Sequence, residues 1–299
     1  VRRWYVLSVL TGRYPSQLPR DYHHRRLRRR KPYAYYLEHD APRFPESFRK
    51  AGYATSAVVT MPLLYDTGLD RGFRLFEVNR DPLPRARKLL ANSKTPFLLW
   101  LHLNGPHAPY GKDPRHDFGD TAIDRYDSEI AAEDARIGRL LDLVERRGLA
   151  DSTVVIVSAD HGEEFGDHGG QFHALKFYRE LLHVPLIVRV PGLAPARISE
   201  VVELVDLFPT LLELCGLPAP ATPLDGQTLL TTLDGPRSPE LGGAFAEDVR
   251  RDHGVKKRAF FDGRWRFIDD DEFDRVELYD TERDPGEQHD VSFAHPDVV

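Results

Sequence analysis

Four short, almost unbroken apolar runs punctuate this chain: Ala54–Thr60, Phe97–Leu103, Thr153–Ser158 and Pro185–Val190. Runs of this length without polar alternation predict strands covered on both faces. Amphipathic helices are predicted between them. In the clearest, about Ile123 to Arg147, the residues Tyr126, Ile130, Ile137, Leu141 and Val144 follow a period near 3.6. Gly148 is placed to end it. A second helix is predicted over roughly Val205–Cys215, ending at Gly216. Strand and helix alternating in this way specify an α/β fold, a mostly parallel sheet flanked by helices. After about Leu233 the pattern changes. Gly235, Pro236, Ser238 and Pro239 read as a linker. Arg258–Ile268 reads as a hairpin turning at Asp262-Gly263, within a small C-terminal antiparallel subdomain.

Composition excludes several classes. The 299 residues suffice for one large domain, or one plus a small second. A formal charge of -6 argues against a general nucleic-acid binder. The single cysteine, Cys215, forms no intrachain disulfide, so sulfur says nothing about compartment. No apolar run approaches the roughly 18 residues of a membrane span. No leader peptide is visible after Val1, so the compartment is left unknown: cytoplasmic as the chain stands, periplasmic or extracellular if an upstream segment exists. The basic run His23–Lys31 and the acidic quartet Asp269–Glu272 read as solvated surface rather than as nucleic-acid or calcium sites.

The chemistry concentrates after the third strand, in VSADHGEEFGDHGGQFHALKFYRELLHVPLIVRVP. Asp160 and His161 follow the strand at once, and in open α/β sheets ligands bind at the carboxyl ends of strands. A carboxylate beside an imidazole can hold a divalent cation. The glycines at 162, 166, 169 and 170 allow tight turns, and Asp167, His168 and His173 add ligand or acid–base groups.

This segment resembles the second signature region of sulfatases and their phosphohydrolase relatives, in the sulfatase and phosphonate monoester hydrolase branch of the alkaline-phosphatase superfamily. The resemblance runs along nearly the whole chain. SVLTGRYPS is similar to the end of the nucleophile motif, and FLLWLHLNGPHAPY to the segment carrying a substrate-facing histidine. FPESFRKAGYATSAVV, GLDRGFRLFE, VVELVDLFPTLLELCGLP and ELYDTERDPGEQHD match further segments in order.

The resemblance implies a metal-dependent hydrolase of sulfate esters, with phosphate or phosphonate esters as the close alternative. Asp160 and His161 would hold the metal, Ca, Mn or Zn, with imidazole favouring Mn or Zn. His107 would contact the leaving or non-bridging oxygen, and His173 the anion or a second metal. Lys176 is a weaker substrate-binding candidate, because the family's lysine position falls on Ala174. The partner is a small anionic ester. Residues 1–233 would form the catalytic domain without its first strand, and 234–299 the C-terminal subdomain.

The pattern breaks at the beginning. Counting back from Gly12 to the family's nucleophile position lands on Arg2, and the strand bearing two further metal aspartates would precede Val1. Ser8 and Thr11 are hydroxyls, but on a helical part of the motif where packing or capping is the default. Either the natural polypeptide is longer or the chain is a degenerate, binding-only relative. The intact motifs elsewhere favour the first.

Overall fold

A computed structural model describes residues 4–18, 20–21, 36–37, 41–60, 68–94, 96–173, 176–233, 242–250 and 254–299. Arg2, the basic run 23–31, Ala174 and the linker 235–239 lie outside the described residues.

Strand β3 (Ala54–Val59) is the middle of a three-stranded parallel sheet, between β4 (Leu75–Val78) and β5 (Phe97–His102). The α/β reading therefore holds. Period-two geometry sends alternate residues of β5 to opposite faces. Leu98 and Trp100 meet one core, with α1 (Trp4–Thr11), α2 (Phe44–Lys50) and α6 (Leu207–Leu214). Phe97, Leu99 and Leu101 meet the other, formed by α3 (Pro82–Asn92) and the long α4 (Ala122–Arg146). In the first core, Phe44 lies 5.8 Å from Trp100 and 5.9 Å from Phe208.

The helix ends follow the sequence signals. Thr121 and Asp124 make a reciprocal capping box at the start of α4. At its end Gly148 takes φ +65°, and the Leu149 and Gly148 N–H groups reach back to the Val144 and Glu145 carbonyls. The same left-handed closure ends α6 at Gly216.

Other expectations need correction. The run 185–190 forms β9 (Leu186–Arg189), which pairs antiparallel with β6 (Val155–Ser158) rather than joining the parallel set. A parallel partner needs a long crossover, usually a helix. The intervening residues instead build a loop whose elements are two short strands, β7 (Glu164–Phe165) and β8 (Gln171–Phe172), and the four-residue helix α5 (Arg179–Leu182). Double-sided coverage is met in β3, where Ala57, Val58 and Val59 are buried, but not in β5, β6 or β9. Among the described residues β5 is paired on one edge only, and Ile187 on β9 is 63% exposed. Strand β4 escapes a search for apolar runs because Glu77 interrupts it.

Four antiparallel strands complete the chain: β10 (Ala244–Arg250), β11 (Gly254–Phe261), β12 (Trp265–Asp270) and β13 (Arg275–Asp280). The expected hairpin is β11–β12, with Ala259 opposite Ile268. Its turn is displaced by one residue, to Gly263-Arg264. The Asp262 carboxylate accepts from the N–H groups of Arg264 and Trp265, which makes it the residue before the turn. Asp270, in the acidic quartet, is buried against Lys257 at 2.5 Å rather than solvated. Residues Phe177 and Tyr178, just before α5, pack with Ala259, Ile268 and Tyr279 of this sheet. No helix among the described residues is long and apolar enough to cross a membrane.

Candidate active site

Strands β5 and β6 deliver His102 and the Asp160-His161 pair to one end of the fold. The loop after β6 is pinned by Gly162, whose N–H donates to the Leu181 carbonyl at 2.9 Å. A Cβ there would lie 1.9 Å from the Glu180 carbonyl oxygen, so only glycine permits the approach.

Tautomers follow from the partners. His161 Nδ1 lies 2.7 Å from the Gly162 carbonyl and His107 Nδ1 2.6 Å from the Ala108 carbonyl. A carbonyl only accepts, so both Nδ1 atoms carry the proton and Nε2 is the lone-pair nitrogen of each neutral ring. His161 Nε2 is 3.7 Å from Asp160 Oδ2. His107 Nε2 is buried without a hydrogen-bond partner.

His173 joins these groups. Its ring stacks on His161 at 4.1 Å and meets His107 edge-on at 5.4 Å. Its Nδ1 lies 2.7 Å from Glu163 Oε1, and Glu163 Oε2 accepts from the Tyr110 hydroxyl at 2.8 Å. His173 and Glu163 are both buried. Burial, then the hydrogen bond to Glu163, pushes the Tyr110 hydroxyl far above the usual phenol range. Phe172, just before His173, takes φ +71°, a strained conformation for a bulky side chain.

Three sequence candidates, Asp160 with His161, His107 and His173, are thus neighbours in space. His102 and Glu163 were missed. His102 is held below the usual imidazole range, by burial first, against the pull of the Asp160 charge. The signal that could have found it was its place as the polar last residue of an apolar strand, close to the strand-end position that marked Asp160.

Lys176 is engaged elsewhere: its ammonium contacts Glu164 Oε1 at 2.8 Å and the His168 carbonyl at 2.6 Å. His168 fastens the loop, stacked on Tyr178 at 3.6 Å. Both its nitrogens face acceptors, Glu180 Oε1 at 2.7 Å and the Glu287 carbonyl at 2.8 Å. Burial lowers its pKa, but these hydrogen bonds outweigh it and the net shift is upward. A raised folded pKa means stability that is fully present below the unfolded value near 6.5 and lost as pH rises through the folded one. His168→Gln is therefore expected to lower the melting temperature most near pH 5 to 6, by an amount matching about 1.5–3 kcal/mol, and least near pH 9. A deficit that grows with pH would contradict the imidazolium assignment. Thr11 is fully buried and bonds back to the Leu7 carbonyl at 2.7 Å, a packing role.

Asp160 and His161 present a carboxylate oxygen and an imidazole lone pair close enough for one cation to touch both, a donor set suited to a borderline metal. Among the described residues no group of three or more His, Cys, Asp or Glu side chains forms a cation site. The pair by itself supplies two donors.

The sulfatase family model matches residues 79–217, and a model for the C-terminal region of N-sulphoglucosamine sulphohydrolase matches 166–297. Arylsulfatase K of Mus musculus is 29% identical over 219 residues, covering 67% of this chain and 39% of its own length. The chain spans 34% to 39% of the lengths of this and two other arylsulfatase K relatives. Among solved structures, BT4656 with its substrate D-glucosamine-2-N,6-O-disulfate superposes with TM-score 0.78 and 18% identity, over 100% of this chain and 85% of that one. A phosphonate monoester hydrolase from Silicibacter pomeroyi superposes with TM-score 0.70 and 20% identity, over 99% and 83%. At such identities these superpositions speak for the fold alone.

Proposed function

We propose that this chain, a member of the sulfatase family, carries the histidine side of a sulfuric ester hydrolase acting on sulfated saccharides. The observation that carries the reading is the contiguous array of His107, His173 and His161 beside Asp160. The sugar sulfate class is suggested by the substrate of the BT4656 complex.

Asp160 and His161 would hold one divalent cation, with Mn or Zn favoured by the imidazole and Ca the other candidate. When bound, it supplies Lewis-acid polarisation of an ester oxygen. His107 is set to serve the leaving oxygen, because its buried Nε2 is the ring atom left to accept or carry a proton there. His173, held at Nδ1 by Glu163 Oε1, would present Nε2 to a non-bridging oxygen of the ester. Glu163 and Tyr110 act as positioning residues, holding the ring by Nδ1.

The test is a panel of an aryl sulfate, an aryl phosphonate monoester and an aryl phosphodiester, assayed on the full-length polypeptide. Sulfate ester turnover is expected, lost after chelation and restored by Mn or Zn. Faster phosphonate cleavage would move the chain to the phosphonate monoester hydrolase branch. Absence of turnover on every ester would favour the binding-only reading, which Arg2 at the counted nucleophile position supports.

A further inference from the structure

A cavity of about 270 Å³ opens at the same end of the sheet. Thr60, Asn104 and Gly105, just beyond β3 and β5, form one wall, and Arg80, Glu133 and Arg136 another. None of these residues has a role in the site above. The cavity shares its first wall with that site, because the segment that supplies Gly105 continues to His107. Gly105 is required there: a Cβ would lie 2.2 Å from Glu133 Cγ.

The charges are unevenly committed. Arg136 bonds to Glu133 Oε1 at 2.6 Å and also contacts Asp81, so its charge is balanced. Glu133 Oε2 is buried with no hydrogen-bond partner, and burial raises the pKa of this carboxyl. Arg80 is exposed and makes no ion pair among the described residues. The lining thus combines one uncommitted cation with hydroxyl, amide and carboxyl groups, beside the apolar side chains of Leu103 and Pro82. A wall of this mixed kind suits a ligand with an apolar face and polar edges. A sugar ring with one negative group matches it, its hydroxyls pairing with Asn104 and Thr60 and its anion with Arg80.

We infer that this cavity is a subsite for an anionic sugar unit next to the one that carries the scissile ester, with Arg80 as its specificity-determining residue. The inference rests on the sulfated-saccharide reading and deepens it. The volume is just under the range of about 300–1,000 Å³ typical of ligand pockets, which suits a single ring.

Isothermal titration of the full-length polypeptide tests it with three non-cleavable probes in which a methylene replaces the ester oxygen. One is the sulfonate monosaccharide, the second its disaccharide with a uronic acid, and the third a disaccharide with a neutral sugar. The acidic disaccharide is expected to bind about tenfold tighter than the monosaccharide, equivalent to ~1.4 kcal/mol. Arg80→Ala is expected to remove that gain, and Arg80→Lys to restore part of it. Equal gains from the acidic and neutral disaccharides, or no gain from either, would overturn the subsite while leaving the hydrolase reading intact. Arg80→Ala weakening all three probes alike would overturn it too. Failure of even the monosaccharide to bind would overturn the sulfated-saccharide reading and the subsite together.

Discussion

His173→Ala is expected to lower kcat for sulfate ester hydrolysis by about 10²–10³-fold, the usual cost of removing one hydrogen-bond donor to an oxygen that gains charge. The ring lies between His161 and His107, so its loss removes the group that links the Asp160-His161 pair to His107. It also strands Glu163, which is 3% exposed at its side chain and would keep only the Tyr110 hydroxyl among its hydrogen bonds named above. A fold defect must therefore be separated from a chemical one. Glu163→Gln keeps the packing and replaces the carboxylate oxygen that holds His173 Nδ1. It should reduce kcat less, by about 10- to 100-fold, the usual cost of losing an orienting partner. If His173→Ala melts normally and retains more than a tenth of wild-type kcat, the histidine array is not the active site.

The largest stability effect is expected at Glu287. Its side chain is wholly buried and ion-paired with Arg266, itself only 7% exposed. Its second oxygen accepts from the Arg179 N–H at 2.8 Å, and its own carbonyl receives His168. One residue of the C-terminal segment thus ties the β10–β13 sheet to the loop that holds His173. It does so at φ +54°, a conformation that costs a side-chain-bearing residue of order 1–3 kcal/mol. Glu287→Ala would leave a buried guanidinium, stacked 4.6 Å from the Phe261 ring, without its counter-charge. Breaking one half of such a pair costs about 3–5 kcal/mol, or on the order of ten degrees in melting temperature. Arg266→Met with Glu287→Leu should cost less than Glu287→Ala, because no isolated charge remains. A Glu287→Ala loss below about 1 kcal/mol in urea unfolding would show that water enters and solvates the pair.

How far such reasoning reaches from sequence differs between elements. The strands β3, β5 and β6, helix α4 and the glycine closures at 148 and 216 were legible because each depends on local periodicity or on one backbone dihedral. Asp160, His161, His107 and His173 were legible as candidates because adjacency to a strand end, and family resemblance, are properties of short segments. The direction of β9 was not. It depends on how the residues between 158 and 186 are used, and a site loop there leaves no crossover helix. Lys176 shows the same limit. Its charge was visible, but the Glu164 carboxylate that captures it lies across a loop whose turns the sequence does not dictate.

By itself, then, the sequence determined the α/β layering, the antiparallel C-terminal hairpin and which side chains are candidates for chemistry, since these follow from side-chain type and short-range spacing. Only the tertiary structure decided which of them meet: His102 beside Asp160, Glu163 between Tyr110 and His173, and Glu287 under the site loop. Those contacts join residues up to 119 positions apart, and packing, rather than any pattern along the chain, selects them.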